Sequence, residues 1–88
     1  MKKIKEKISK SILAKSYNNE EDIVKRIKEE LELSKEVSIT TKSKNLAMST
    51  FMCLWFNIGE EKYKLDIFYF TLGNKKLLPY DCLVFKGE

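Results

Sequence analysis

Two runs rich in aromatic and branched residues, Leu46–Ile58 and Lys62–Phe70, flank the turn Gly59-Glu60-Glu61. Long β-prone runs around a glycine-containing turn predict a β-hairpin. A two-residue loop at Gly59-Glu60 pairs Phe56 with Tyr63, Leu54 with Leu65, Met52 with Ile67 and Thr50 with Tyr69. One face of the hairpin is then almost wholly apolar. A shift of one residue would bring Lys62, Lys64 and Asp66 onto that face, which a buried surface rejects. The opposite, second face carries Phe51 beside Phe68, Ser49 beside Phe70, Cys53 beside Asp66, Trp55 beside Lys64 and Asn57 beside Lys62. It is polar near the turn and aromatic at the far end. Phe51, Trp55, Phe68 and Phe70 can each contribute about 150–250 Å² of contact area. That is more apolar surface than a monomer ordinarily leaves bare, so a helix, a second copy of the chain or a partner is expected to cover part of it.

Beyond this hairpin the periodicities change. Ile4, Ile8 and Ile12, with Leu13 beside them, form a narrow helical stripe among lysines, and residues 1–16 read as a basic amphipathic helix or arm. Tyr17-Asn18-Asn19 interrupts it. Asn18 or Asn19 then caps a second helix over 19–33, with Glu20, Glu21 and Asp22 in the first turn, where the helix dipole favours anions. Its stripe of Ile23, Val24, Ile27 and Leu31 is expected to pack on the apolar face of the hairpin.

Residues 35–41 alternate as an edge strand should, and Lys42-Ser43-Lys44-Asn45 reads as a polar turn into the hairpin. Thr71-Leu72-Gly73-Asn74-Lys75 predicts another hairpin turn. The last strand, about Leu77 to Phe85, must be an edge at Pro79, which has no N–H to donate. A two-residue loop at Gly73-Asn74 would pair Tyr69 with Leu78, Ile67 with Tyr80, Leu65 with Cys82 and Tyr63 with Val84. The expected architecture is α+β: one or two N-terminal helices, then an antiparallel meander of three to four strands over 35–86, with helix packed on one sheet face. At 88 residues it is one domain with one modest core.

Composition narrows the chemistry. With 43% hydrophobic residues the chain is a folded one, and no apolar run approaches the ~20 residues of a membrane span. There is no continuous apolar leader core, so the default compartment is the cytoplasm. The net charge is +4, yet Arg26 is the only arginine. Lysines support non-specific, salt-sensitive phosphate contact rather than bidentate readout. Histidine is absent, which removes Ser-His and Cys-His activation and the commonest zinc ligand. Two cysteines cannot build a four-cysteine metal site. With a strand between them, Cys53 and Cys82 would sit about 10 Å apart, beyond disulfide reach. Asp66 and Asp81 fall opposite each other in the simple register, where two carboxylates would repel. Trp55 and Lys64 form a candidate cation–π pair. The three glycines stand at turns or at the terminus and form no phosphate loop.

These observations point to a non-enzymatic module without cofactor or metal that docks on another protein, as a regulator or inhibitor from a bacterium or mobile element. Its partner-binding residues would be Phe51, Trp55, Lys64, Phe68 and Phe70, and a homodimer through the same face is the related option. The alternative is a non-specific nucleic-acid binder using Lys2, Lys3, Lys5, Lys42, Lys44, Lys75 and Lys76.

Overall fold

A computed structural model describes residues 2–33, 40–46 and 49–86, with the side chains of residues 2, 40 and 41 excepted. Two helices, α1 (Lys2–Ser11) and α2 (Glu20–Glu30), precede four strands: β1 (Thr40–Asn45), β2 (Thr50–Ile58), β3 (Glu61–Thr71) and β4 (Leu77–Lys86). The strands form one antiparallel sheet in the order β1-β2-β3-β4, the meander expected from the sequence. The expected strand over 35–41 lies mostly outside the described residues. Lys42–Asn45, expected as a turn, instead continue β1 and pair with Thr50–Cys53. An edge strand with one side open to water tolerates lysines, and they also discourage further strand pairing.

The β2–β3 hairpin has the expected register, from Ile58 opposite Glu61 to Thr50 opposite Tyr69. Gly59 adopts φ +62, the left-handed conformation that the first position of a tight hairpin turn requires. The β3–β4 connection differs from expectation. Lys75 donates its N–H to the Leu72 carbonyl at 2.9 Å, and Leu72 donates to the Lys76 carbonyl at 2.8 Å. Gly73-Asn74-Lys75 is therefore a three-residue loop, with Lys75 at φ +68. A register irregularity follows between Phe68 and Tyr69, where Phe68 pairs with Asp81 but Tyr69 pairs with Pro79. Tyr80 is the extra residue of a bulge.

The longer loop and the bulge each move the register by one. Cys82 and Val84 therefore keep the face expected of them, opposite Ile67 and Leu65, whereas Leu77 and Pro79 replace Leu78 and Tyr80 on the apolar side. Pro79 is fully buried and lies on the edge strand, as its missing N–H demands.

α2 begins where expected. Asn19 is extended and its side-chain oxygen accepts the Asp22 N–H at 2.9 Å, with Glu20, Glu21 and Asp22 in the first turn. It ends with Glu32 at φ +54 and the Leu33 N–H donating to the Lys28 carbonyl at 2.9 Å. α1 stops earlier than its isoleucine stripe suggests. Ala14 turns left-handed at φ 65 and donates to the Pro79 carbonyl at 3.0 Å, and Tyr17 exchanges two backbone hydrogen bonds of 2.8 Å with Leu77. The chain leaves the helix because the open edge of β4 offers it partners. The Tyr17 hydroxyl reaches back to donate to the Ile12 carbonyl at 3.0 Å, serving the end of α1.

Ile8 and Ile12 of the α1 segment join Ile23 and Ile27 of α2 over Met52, Leu54, Phe56, Leu65, Ile67, Tyr69, Leu77 and Cys82 in one buried cluster. Both helical segments thus seal the same, first face. The N-terminus of α2 is held by Glu20, whose Oε2 accepts from Tyr69 Oη at 2.6 Å and Ser43 Oγ at 2.5 Å. Burial first, and then the hydrogen bond to Glu20, push the Tyr69 hydroxyl well above the usual tyrosine range.

Candidate functional site

With both helices on the first face, the second face of the sheet carries no described element. The register sets its side chains in cross-strand rows: Lys44, Phe51, Phe68 and Asp81; Lys42, Cys53, Asp66 and Leu83; and Trp55, Lys64 and Phe85. Phe70 and Leu78 extend it toward the β3–β4 loop. All five residues expected at a partner-binding surface, Phe51, Trp55, Lys64, Phe68 and Phe70, therefore stand together here.

Phe51, Phe68 and Phe70, with Tyr80 between the last two, form a continuous strip of rings. Phe51 and Phe68 are 5.6 Å apart between centroids, Phe68 and Tyr80 6.3 Å, and Phe70 stacks on Tyr80 at 4.3 Å. Trp55, Phe70, Tyr80, Leu83 and Phe85 remain 38–45% exposed. At roughly 80 Å² of open area each, they present about 400 Å² of apolar surface, a size at which the largest patch of a monomer is often functional. Lys42, Lys44, Asn57 and Lys62 form an exposed polar rim.

Three of these residues escaped the sequence reading. The simple register sets Tyr80 on the apolar face, and the longer β3–β4 loop, which puts Pro79 there instead, turns it to this one. Leu83 and Phe85 alternate with Cys82 and Val84, and that alternation was the available signal. The ammonium of Lys64 stands 5.4 Å from the centroid of Phe85, so the cation–π contact is made there rather than with Trp55, its backbone partner.

Asp66 and Asp81 are not opposed. Asp66 faces Leu83, and Asp81 faces Phe68 and accepts the N–H of Cys82 at 2.8 Å. The expected carboxylate pair therefore does not form. Asp66 lies alone in the middle of the face. Its side chain is 9% exposed, Lys64 Nζ lies 3.7 Å from its Oδ1, and that oxygen accepts no hydrogen bond from the described residues. Burial first, then hydrogen bonding to the Asp66 carboxylate, raise the pKa of the neighbouring Cys53 thiol. Cys53 and Cys82 are both free, on opposite faces, and Cys82 lies 3.7 Å from Ser9 Oγ.

The lysines of the nucleic-acid alternative do not share one surface. Lys42 and Lys44 border the second face, Lys3 and Lys5 belong to α1 in the helix layer, and Lys75 and Lys76 lie at the β3–β4 loop. Of Lys2 only the backbone, as the first residue of α1, is described. Among the described residues no three metal-ligating side chains cluster, and no helix is long and apolar enough to cross a membrane.

By its architecture this is an α+β protein with a four-stranded meander sealed on one side by helices and carrying no described element on the other. Comparison with known proteins finds no matching family, no similar characterised protein and no similar solved structure.

Proposed function

We propose that this chain is a small, non-catalytic protein-docking module that binds a partner protein through the second face of its sheet. A regulator or inhibitor of bacterial or mobile-element origin, working in the cytoplasm by occupying its target, is the role that suits such a module. The single observation that carries the reading is the aromatic strip of Phe51, Phe68, Tyr80 and Phe70, which lies opposite both helices. Aromatic anchors inside a polar rim are the composition that binding centres favour. The exposed apolar area is about half of the ~800 Å² that each partner contributes to a standard interface, and the lysine rim accounts for much of the rest.

The test is quantitative affinity capture from host cells with wild type, a Trp55→Ser/Phe70→Ser variant and a Lys3→Ala control on the opposite layer. A partner recovered by wild type and control but lost with the double variant supports docking at this face. Equal recovery by all three refutes it.

A second reading has one observation in its favour: Lys42 and Lys44 border the same rings, which resembles the pairing of cations and stacking surfaces used for single-stranded nucleic acid. Asp66 in the middle of the face opposes it, since a carboxylate repels phosphate. A gel-shift titration against salt separates the two readings, and absence of binding at low salt removes the second.

A further inference from the structure

Asp66 gives the docking surface a chemical preference. We infer that the partner inserts an arginine into the second face, with its guanidinium on the Asp66 carboxylate and its plane against the neighbouring rings of Phe51 and Phe68. The inference rests on the docking reading and deepens it.

A carboxylate oxygen that is buried and accepts nothing is costly to maintain, and native structures rarely keep one without a use. Among the described residues no donor fully supplies the need. Lys64 approaches only to 3.7 Å and divides its charge between Asp66 and the ring of Phe85. The Cys53 thiol is a weak donor. What the position lacks is a strong, charged donor; the oxygen has almost no accessible surface, so a partner's guanidinium reaches it from the second face by displacing the partly exposed Lys64 side chain.

A guanidinium meets that need better than an ammonium. It offers several N–H groups in a planar fork, binds both carboxylate oxygens, and loses less hydration on burial. It also stacks on aromatic faces, and Phe51 and Phe68 form the adjoining cross-strand pair. The apolar surroundings of Leu83, Trp55 and Phe85 suit hydrophobic residues on either side of that arginine in the partner.

The same chemistry argues against a second copy of the chain as occupant. Arg26 is the only arginine, it lies on α2 in the helix layer, and it is engaged by Glu29 at 3.2 Å and Glu30 at 2.7 Å. Two copies meeting face to face would seal two Asp66 carboxylates without supplying a guanidinium to either.

The probe is a displayed library of random linear peptides, selected on the full chain and counter-selected on the Trp55→Ser/Phe70→Ser variant. The expected result is enrichment of peptides with arginine at a fixed position between apolar residues. Their affinity for Asp66→Asn should be weaker by roughly tenfold to a hundredfold, and arginine→citrulline peptides should lose as much on wild type. Asp66→Asn should melt no lower than wild type, so that lost binding is not lost folding.

Face-directed peptides without arginine, or arginine peptides that bind Asp66→Asn equally well, overturn the inference and leave the docking reading standing. Peptides unaffected by the Trp55→Ser/Phe70→Ser change overturn both, as would a face that takes only nucleic acid. A dimer seen by light scattering that is lost in that double variant, but kept in Asp66→Asn, assigns the face to a second copy and overturns the inference.

Discussion

Replacing Tyr69 by Phe tests how α2 is held against the sheet. The hydroxyl of Tyr69 donates to Glu20 Oε2 at 2.6 Å from a residue only 5% exposed, while the ring contributes to the core and would remain after the substitution. A hydrogen bond to a charged group contributes about 1.5–3 kcal/mol. Glu20 is half-buried and keeps its bond from Ser43, so the expected loss is nearer 1–2 kcal/mol, or a melting temperature lower by roughly 5–15 °C for a domain of this size. Thermal and urea unfolding followed by circular dichroism measure it.

The same bond has a pH signature. The folded protein raises the pKa of Tyr69 above its ordinary value of 10.0, through burial first and Glu20 second. The native state therefore holds this proton more tightly than the unfolded chain. The resulting stability is complete below pH 10 and is lost as pH rises from there toward the folded-state value. Burial likewise raises Tyr17, and also Cys53 and Cys82 from 9.0, so the wild type should weaken from about pH 9 upward. Tyr69→Phe should show a shallower alkaline decline. Unchanged stability at pH 7 together with an unchanged alkaline slope would refute the role given to the Tyr69–Glu20 hydrogen bond.

Further outcomes concern the core, the cap and the open face. Asp66→Asn should match or exceed wild-type stability by up to about 2 kcal/mol, because the half-exposed Lys64 offsets little of the cost of a buried charge; calorimetry decides, and a clear loss would mean that the carboxylate is satisfied within the fold. Ile27→Ala, at a fully buried position, should cost about 2–5 kcal/mol in urea titration, enough to threaten so small a domain. Asn19→Ala should cost about 1 kcal/mol and Asn19→Gly a few tenths, read from the same titration. Trp55→Ser and Phe70→Ser, both on the open face, should change stability by less than about 1 kcal/mol while reducing the binding of an apolar dye such as ANS.

Much of the molecule could be read from the order of its residues because local rules sufficed there. Alternation around Gly59 set the β2–β3 register, since any slip would bury Lys62, Lys64 and Asp66. Asn19 and the three acids behind it set the start of α2. The unequal faces of the hairpin, and with them Phe51, Trp55, Lys64, Phe68 and Phe70 as one surface, followed from the same alternation. Other features depended on residues far apart in the chain. The end of α1 was decided by hydrogen bonds offered at Leu77 and Pro79, which its own periodicity cannot contain. The side on which Tyr80 emerges depended on a loop one residue longer than expected, and the bulge beyond it adds a second one-residue shift, so that Cys82 returns to its expected face two residues out of its expected register. That both helical segments choose the same face, leaving the aromatic one uncovered by any described element and Asp66 Oδ1 buried without a hydrogen bond from the described residues, is a result of packing: the chain has one layer of helix to spend on a sheet with two sides, and the side lined by Leu54, Leu65 and Ile67 had the more apolar surface to remove from water.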